Sequence, residues 1–309
     1  MNMQSGALRL DEWGVIRAVG EDAASFLHGQ LTQDMLNLGT DQARLAGYCS
    51  AKGRLLATMI VWRGAENEIL MALPKELLAP TLKRLSMFVL RAKCKLSDAG
   101  AGDNWTLWGL AGEAALQWLG DAAPAATWAR STRDGAAVIR LPQADAGTPR
   151  FLLVQPSEQA RQAPLPMLAA ADWHWQEVRA GLAWIQASTV EQFVPQMLNL
   201  ELLGGVNFKK GCYPGQEIVA RSQYRGTLKR RTYLFEVDGT ATPGQELFHS
   251  EDPGQPAGIV ALAATRDGRS LLLAETKIAA LQAGSLHLGS AAGATLTPSP
   301  LPYALTEAP

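Results

Sequence analysis

Cysteine is scarce in this chain, three in 309 residues, at Cys49, Cys94 and Cys212. An odd and scattered set builds no disulfide framework. With no C-x-x-C and no H-x-x-x-H, there is no zinc-ligand pattern either, and no metal site is expected. The four histidines, His28, His174, His249 and His287, stand apart from one another. Excess charge is also missing: 28 Lys and Arg against 29 Asp and Glu leave −1. That balance gives no bulk attraction to nucleic acid or membrane, and no direct binding to either is expected. No apolar run is long enough to cross a bilayer. The opening MNMQSGALRLDEW lacks both an apolar leader core and an Arg-rich amphipathic pattern, so a reducing cytoplasm is the expected compartment. LAGYCSAKGR contains Lys-Gly without phosphate-loop spacing. No G-x-S-x-G elbow or kinase motif set occurs.

What is present is apolar residue. At 47% hydrophobic and 18% charged, the chain can bury a large core in two or three domains. Alternation predicts strands at residues 7–10 and 13–19. A helix is expected over 23–36, where Phe26, Leu27, Leu31 and Met35 recur at helical spacing. Strands at 44–50, 54–62 and 68–73 follow, then a helix from Pro74 to about Val89, a strand at 92–96 and a linker at 97–104. GEDAASFLHG, from Gly20, resembles GEAALQWLG, from Gly112, and each follows a strand carrying tryptophan. The match suggests two α+β units on one plan, although alanine-rich amphipathic helices also resemble one another by chance. Strands at 136–141 and 150–155 and helical stretches at 157–171 and 172–180 continue the second unit. Beyond Arg231, short strands at 232–237, 246–249, 258–263, 270–275 and 285–288 between Gly/Pro turns describe a small antiparallel barrel or sandwich. The tail 298–309 is turn-rich.

The chemically densest stretch is GGVNFKKGCYPGQEIVARSQYRGTLKRR, residues 204–231. Pro214 suits a first helical turn, and a helix through Gln216, Glu217 and Arg221 would turn Ile218 and Val219 inward and set Glu217 one turn from Arg221. Cys212 then sits just before a helix start beside Lys209 and Lys210, both of which favour thiolate. The alternative is a small buried apolar cysteine. Arg221, Arg225, Lys229, Arg230 and Arg231 form the one basic cluster.

Lys210, Gly211, Cys212, Tyr213, Gly215, Gln216 and Glu217 spell K-G-C-Y-x-G-Q-E, which resembles the signature of the YgfZ family. These are folate-binding proteins related to the T-protein (GcvT, aminomethyltransferase) of glycine cleavage. The flanks FVPQMLNLELLGGVNF and VARSQYRGTLKRR agree. The resemblance spans nearly the whole chain, to the closing LPYAL, and implies a GcvT-like α+β fold. Two ferredoxin-like units, about 1–100 and 101–231 and not necessarily contiguous, would meet a C-terminal β-barrel, 232–309, around a central folate pocket.

The resemblance further implies a tetrahydrofolate-binding protein that supports assembly or repair of iron–sulfur enzymes, tRNA-modifying ones included. Its partners would be those client enzymes, and any turnover would be folate-dependent one-carbon transfer. Trp13 and Trp173 stand where relatives are thought to hold folate; Trp175 competes for that role, and core packing is the plain alternative for all three. Cys212 is the candidate thiolate, with Lys210 lowering its pKa and Glu217 and Arg221 fixing the helix; a structural turn shaping the pocket floor is the other reading. Two departures stand out. The acidic pair of the T-protein falls here on Ala57 and Thr58, which argues against the alternative function, a true aminomethyltransferase. A glutamate that relatives often carry two residues before glycine is Arg179 here, with Glu177 as the nearby carboxylate. A third reading is an interaction module docking through residues 225–231.

Overall fold

The computed structural model describes residues 5–100, 105–143, 148–156, 165–224 and 228–305. Of the expected helical stretch at 157–171, residues 157–164 lie outside them and residues 165–169 are not helical; Arg225 and the ends of the linker and tail also lie outside.

In chain order the first elements are β1 (Gly6–Arg9), β2 (Trp13–Val19), α1 (Ala23–His28), β3 (Ala43–Cys49), β4 (Leu55–Arg63), β5 (Glu68–Pro74), α2 (Lys75–Ser86) and β6 (Lys95–Asp98). Next are β7 (Trp105–Ala111), α3 (Glu113–Leu119), β8 (Arg130–Arg133), β9 (Ala136–Leu141), β10 (Arg150–Pro156), α4 (Ala170–Arg179) and α5 (Gln216–Tyr224). The last are β11 (Arg230–Asp238), β12 (Glu246–His249), β13 (Asp252–Arg266), β14 (Arg269–Lys277), β15 (Leu286–Leu288) and β16 (Thr297–Ser299).

The described residues form three antiparallel sheets. The first runs β3-β4-β5-β2-β6 and the second β1-β7-β10-β9-β8. Written from β6 and from β1, the two orders match position for position. Each starts its unit on a central strand (β2, β7) that enters a short helix (α1, α3), so the faint repeat at Gly20 and Gly112 marks equivalent places. Both glycines have positive φ, at 140° and 80°, which only glycine adopts freely. The first sheet contains a ferredoxin-like β-α-β-β-α-β path, from β2 through α1, β4, β5 and α2 to β6, with β3 as an extra edge strand; the second follows the same path only as far as β10. The second sheet completes its set with β1, paired from Gly6↔Ala111 to Arg9↔Trp108. The edge place that β6 fills in the first sheet is thus filled in the second by the N-terminal strand. A break near residue 100 therefore does not separate the two sheets.

The third sheet runs β15-β12-β13-β14-β11-β16, all antiparallel. A register shift between Val260 and Leu262 on β13 leaves Ala261 unpaired and re-aims the strand, as bulges do.

The expected helix over 23–36 ends at His28. Leu31 and Met35 are still fully buried, so their spacing reports burial from a loop rather than helix. That loop is held by Asp34, which accepts the backbone N–H groups of Leu36 and Asn37. The predicted strand at 92–96 shifts to Lys95–Asp98, running two residues into the expected linker, and β8 and β16 carried no clear alternation.

Candidate functional site

The N-terminal ends of β2 and α2, the inner face of α4, the turn at 184–186 and the bulged β13 converge on a cavity of about 560 Å³. That is the size and the kind of junction at which small-molecule sites occur. Trp13 and Trp184 form one wall, with ring centroids 4.8 Å apart and planes at 85°, the edge-to-face geometry that aromatic quadrupoles favour. Pro74, Val178, Leu262 and Ala263 give apolar surface, and Glu12, Lys75, His174 and Glu177 supply charge.

Glu177 is the electrostatic centre. Trp184 Nε1–H donates to its Oε1 at 3.0 Å. Arg150 Nη2 lies 3.7 Å from Oε1 and His174 Nδ1 3.6 Å from Oε2. Burial alone would raise this carboxyl. The His174 contact, the Arg150 and His174 charges and the Trp184 donor outweigh burial and hold it below its ordinary range. His174 also lies 3.8 Å from Glu12. Its contact with Glu177 raises its pKa against desolvation, while burial raises Glu12. A raised histidine contributes stability that is complete below its unfolded pKa, about 6.5, and is lost as pH rises through the folded value. His174→Gln is therefore expected to flatten the fall of melting temperature with pH above about 6.5; an unchanged slope in a pH series of thermal scans would contradict this.

Trp173 is not in the wall. Its side chain is 0% exposed, with the Arg150 guanidinium 4.3 Å above its ring. Its other side packs on Gly109, where a Cβ would fall 2.6 Å from the ring atoms. It lies beneath the cavity, supporting Arg150 and through it Glu177. Trp175 holds Arg266 at 4.7 Å, and Arg266 also pairs with Asp172 at 3.0 Å, so this side chain fastens α4 to β13. Arg179 is exposed, whereas Glu177 brings the carboxylate to the cavity. Trp184, His174, Glu12 and Arg150 were missed. Trp184 had a signal, a tryptophan three residues after the Gly181 turn, and His174 had another, standing one helical turn before Glu177 on α4; Glu12 and Arg150 reach them only through the fold.

The signature loop lies elsewhere. None of the described residues of 204–231 lines this cavity, so Lys210 to Glu217 does not form its floor. Gly215 has φ of 77°, and a Cβ there would come within 2.4 Å of the Ser50 carbonyl oxygen, so the loop docks on the β3–β4 turn. Lys210 Nζ donates to the carbonyls of His28, Leu31 and Gly211 at 2.5, 3.0 and 3.2 Å and sits 4.7 Å from the Tyr213 ring. Burial lowers its pKa to about 8, against the pull of Asp34 and Cys212. Cys212 is exposed, so the buried-cysteine alternative fails. α5 starts at Gln216 and buries Val219, whereas Ile218 is exposed. Glu217 and Arg221 are both exposed on α5, and no ion pair joins them among the described residues. The basic cluster is dispersed: Arg230 pairs with Glu275, and Arg231 is buried against Glu201 at 2.8 Å.

Ala57 and Thr58, fully buried on β4, present no carboxylate. The Thr58 hydroxyl accepts the Ile185 N–H at 2.9 Å and so fixes the segment that carries Trp184.

No protein-family profile matches the chain. Curated relatives do. The tRNA-modifying protein YgfZ of Photorhabdus laumondii is 30% identical over 309 residues, covering 97% of this chain and 93% of that protein. The protein of the same description from Edwardsiella ictaluri is 32% identical over 323 residues, with the same coverage. Among solved structures, the glycine cleavage system aminomethyltransferase T of Bartonella henselae superposes with a TM-score of 0.75 at 17% identity, over 97% of this chain and 87% of that one. That likeness shows the fold: α+β, with antiparallel sheets in the aminomethyltransferase arrangement.

Proposed function

The chain belongs to the YgfZ family, and from that premise we propose that it binds a reduced folate in the cavity walled by Trp13 and Trp184. In this reading it supports iron–sulfur enzymes, including those that modify tRNA. The observation that carries the reading is Glu177, a buried carboxylate kept ionised beside an aromatic wall. A pterin has a flat π-face and an edge of N–H donors. The wall suits the face, and a carboxylate suits the edge as a charge-assisted acceptor. Glu12 adds a second acceptor, Pro74, Val178 and Leu262 supply apolar contact, and Lys75 at the rim suits an anionic tail. Trp173 and Arg150 hold Glu177 in place. A bound tetrahydrofolate would supply nitrogens that carry one-carbon units. The residues of this chain would orient it and exclude water.

The aminomethyltransferase alternative needs a carboxylate near the carried group. Ala57 cannot supply one, and the Thr58 hydroxyl is engaged by backbone. Binding without classical turnover is therefore the better reading, with the client enzymes as partners.

Titration with tetrahydrofolate, followed by tryptophan fluorescence, tests this. Saturable quenching is expected, and Trp13→Phe and Trp184→Phe are each expected to weaken it. Glu177→Gln is expected to raise Kd by roughly tenfold to a hundredfold, the loss of a hydrogen bond to a charged group. A flat titration of the wild-type protein would remove the folate reading.

A further inference from the structure

α2 has one end at the cavity and the other in solvent. Lys75 and Glu76 at its start line the cavity. The 12 residues of the helix then carry the chain about 18 Å away, into a tight turn at 89–92. The Ala92 N–H closes that turn on the Val89 carbonyl at 2.8 Å. Its base is fixed: the Lys93 N–H donates to Asp22 Oδ2 at 2.8 Å, and the Lys93 carbonyl accepts the Asp22 N–H at 3.2 Å. Leu90 stands at the tip, 87% exposed, with φ of 41°. Glycine and asparagine are the usual occupants of such a turn position, and a left-handed backbone disfavours leucine. Leu90 thus combines a strained backbone with an apolar side chain in water, and no burial within the chain offsets either. Met87 and Phe88 are 57% and 44% exposed, so three of the eight large apolar side chains exposed among the described residues fall within four positions.

The charge around this tip is one-sided. The whole chain carries −1, yet between Glu76 and Asp98 stand five basic residues, Lys83, Arg84, Arg91, Lys93 and Lys95, and no acidic one. All but Arg84 are exposed. Of the exposed four, only Lys93 is in an ion pair among the described residues, with Glu21 at 2.8 Å. Lys83 lies one turn before Met87, whose N–H reaches the Lys83 carbonyl at 3.3 Å.

We propose that this end of α2 docks the protein on an anionic phospholipid surface. Leu90, Phe88 and Met87 enter the headgroup layer, and the cations meet the lipid phosphates. An apolar insertion and a basic patch are the two signals that peripheral attachment combines. Net charge predicts no attraction to a membrane; the uneven distribution supplies a local one. A nucleic acid would meet the same cations but has no use for Leu90 and Met87, since stacking on bases needs aromatic faces. A protruding apolar turn needs no complementary pocket in a bilayer. The cavity lies at the opposite end of α2, and the docking is independent of the folate reading.

The test is co-sedimentation of the full chain with vesicles of phosphatidylcholine alone and of equal parts phosphatidylcholine and phosphatidylglycerol. Binding to the anionic vesicles alone is expected at low salt, with loss at about 0.5 M, where the Debye length is a few ångström. Leu90→Asn suits the left-handed backbone, so its melting temperature is expected to equal or exceed that of the wild type. Its affinity for anionic vesicles is expected to fall about tenfold, as a leucine side chain leaves the interface. Lys83→Gln, Arg91→Gln and Lys95→Gln together are expected to lower affinity about a hundredfold, roughly fivefold for each charge. Failure of the wild-type protein to sediment with anionic vesicles at low salt would overturn the proposal. So would equal binding to both vesicle types, or binding that Leu90→Asn leaves unchanged.

Discussion

Trp173→Ala is expected to lower the stability of the chain by about 3–5 kcal/mol, the cost of removing a large aromatic side chain from a packed core. The ring is wholly enclosed within the largest core cluster, and Gly109 leaves room that only this ring fills. The loss is more than a void. The Arg150 guanidinium rests on the ring, and Arg150 is itself buried, its pKa pushed down to about 10 by desolvation against the pull of Glu177. Without its aromatic face the cation loses a contact that carries more weight when desolvated, and Glu177 loses a fixed partner. Urea denaturation would show a lower midpoint at an unchanged slope. A loss below about 1 kcal/mol would place Trp173 outside the core. Trp13→Ala opens onto an existing cavity, and its stability cost is expected to be the smaller.

The second large effect concerns the joint between the third sheet and the body. Arg231 Nη1 donates to Asn199 at 2.9 Å and to Glu201 at 2.8 Å, and Asn199 in turn donates to the Thr232 carbonyl at 2.8 Å. Arg231→Met is expected to cost about 3–5 kcal/mol, because it strands a buried carboxylate. Arg231→Met combined with Glu201→Leu is expected to recover most of that, since an apolar pair of similar volume carries no desolvation cost. The pH dependence follows by sign. Burial already raises the Glu201 carboxyl despite Arg231, and removing Arg231 raises it further. A carboxyl raised on folding keeps its contribution below the ordinary value, about 4.3, and loses it as pH rises through the folded value. The single variant is thus expected to be closest to wild type in acid and furthest from it at neutral pH. A pH-independent difference would contradict the stranded-charge account.

Much of the architecture was legible because local signals agreed with the tertiary outcome. Trp13 to Val19 alternates and is a strand; Glu246 to His249 is a strand as read. The exchange of β1 into the second sheet was not legible, since Ala7 and Leu8 look alike whichever sheet they join. Helical spacing at Leu31 and Met35 overstated α1, because a loop pinned by Asp34 buries them equally well. The cavity was legible at Trp13 and, through the resemblance, at Glu177. Glu177 meets His174 one helical turn away on α4, but Arg150 and Trp184 reach it through contacts that no spacing encodes. Trp173 was drawn toward the ligand by the family resemblance, although its ring is buried in the core. The signature was readable as a pattern, but the seat of the Lys210 ammonium on the His28 and Leu31 carbonyls joins two segments about 180 residues apart.

The exchanged strand also has a consequence for synthesis. β1 leaves the ribosome first, yet its partner β7 begins about 100 residues later. At about 5–20 residues per second, the interval is roughly 5–20 s. Throughout it the first sheet can close without β1, while Ala7 and Leu8 have no sheet to join. The nascent β1 is then an unpaired edge waiting for a template, the state in which strands recruit the wrong neighbour. Correct pairing of β1 thus requires that it stay idle until the second sheet arrives.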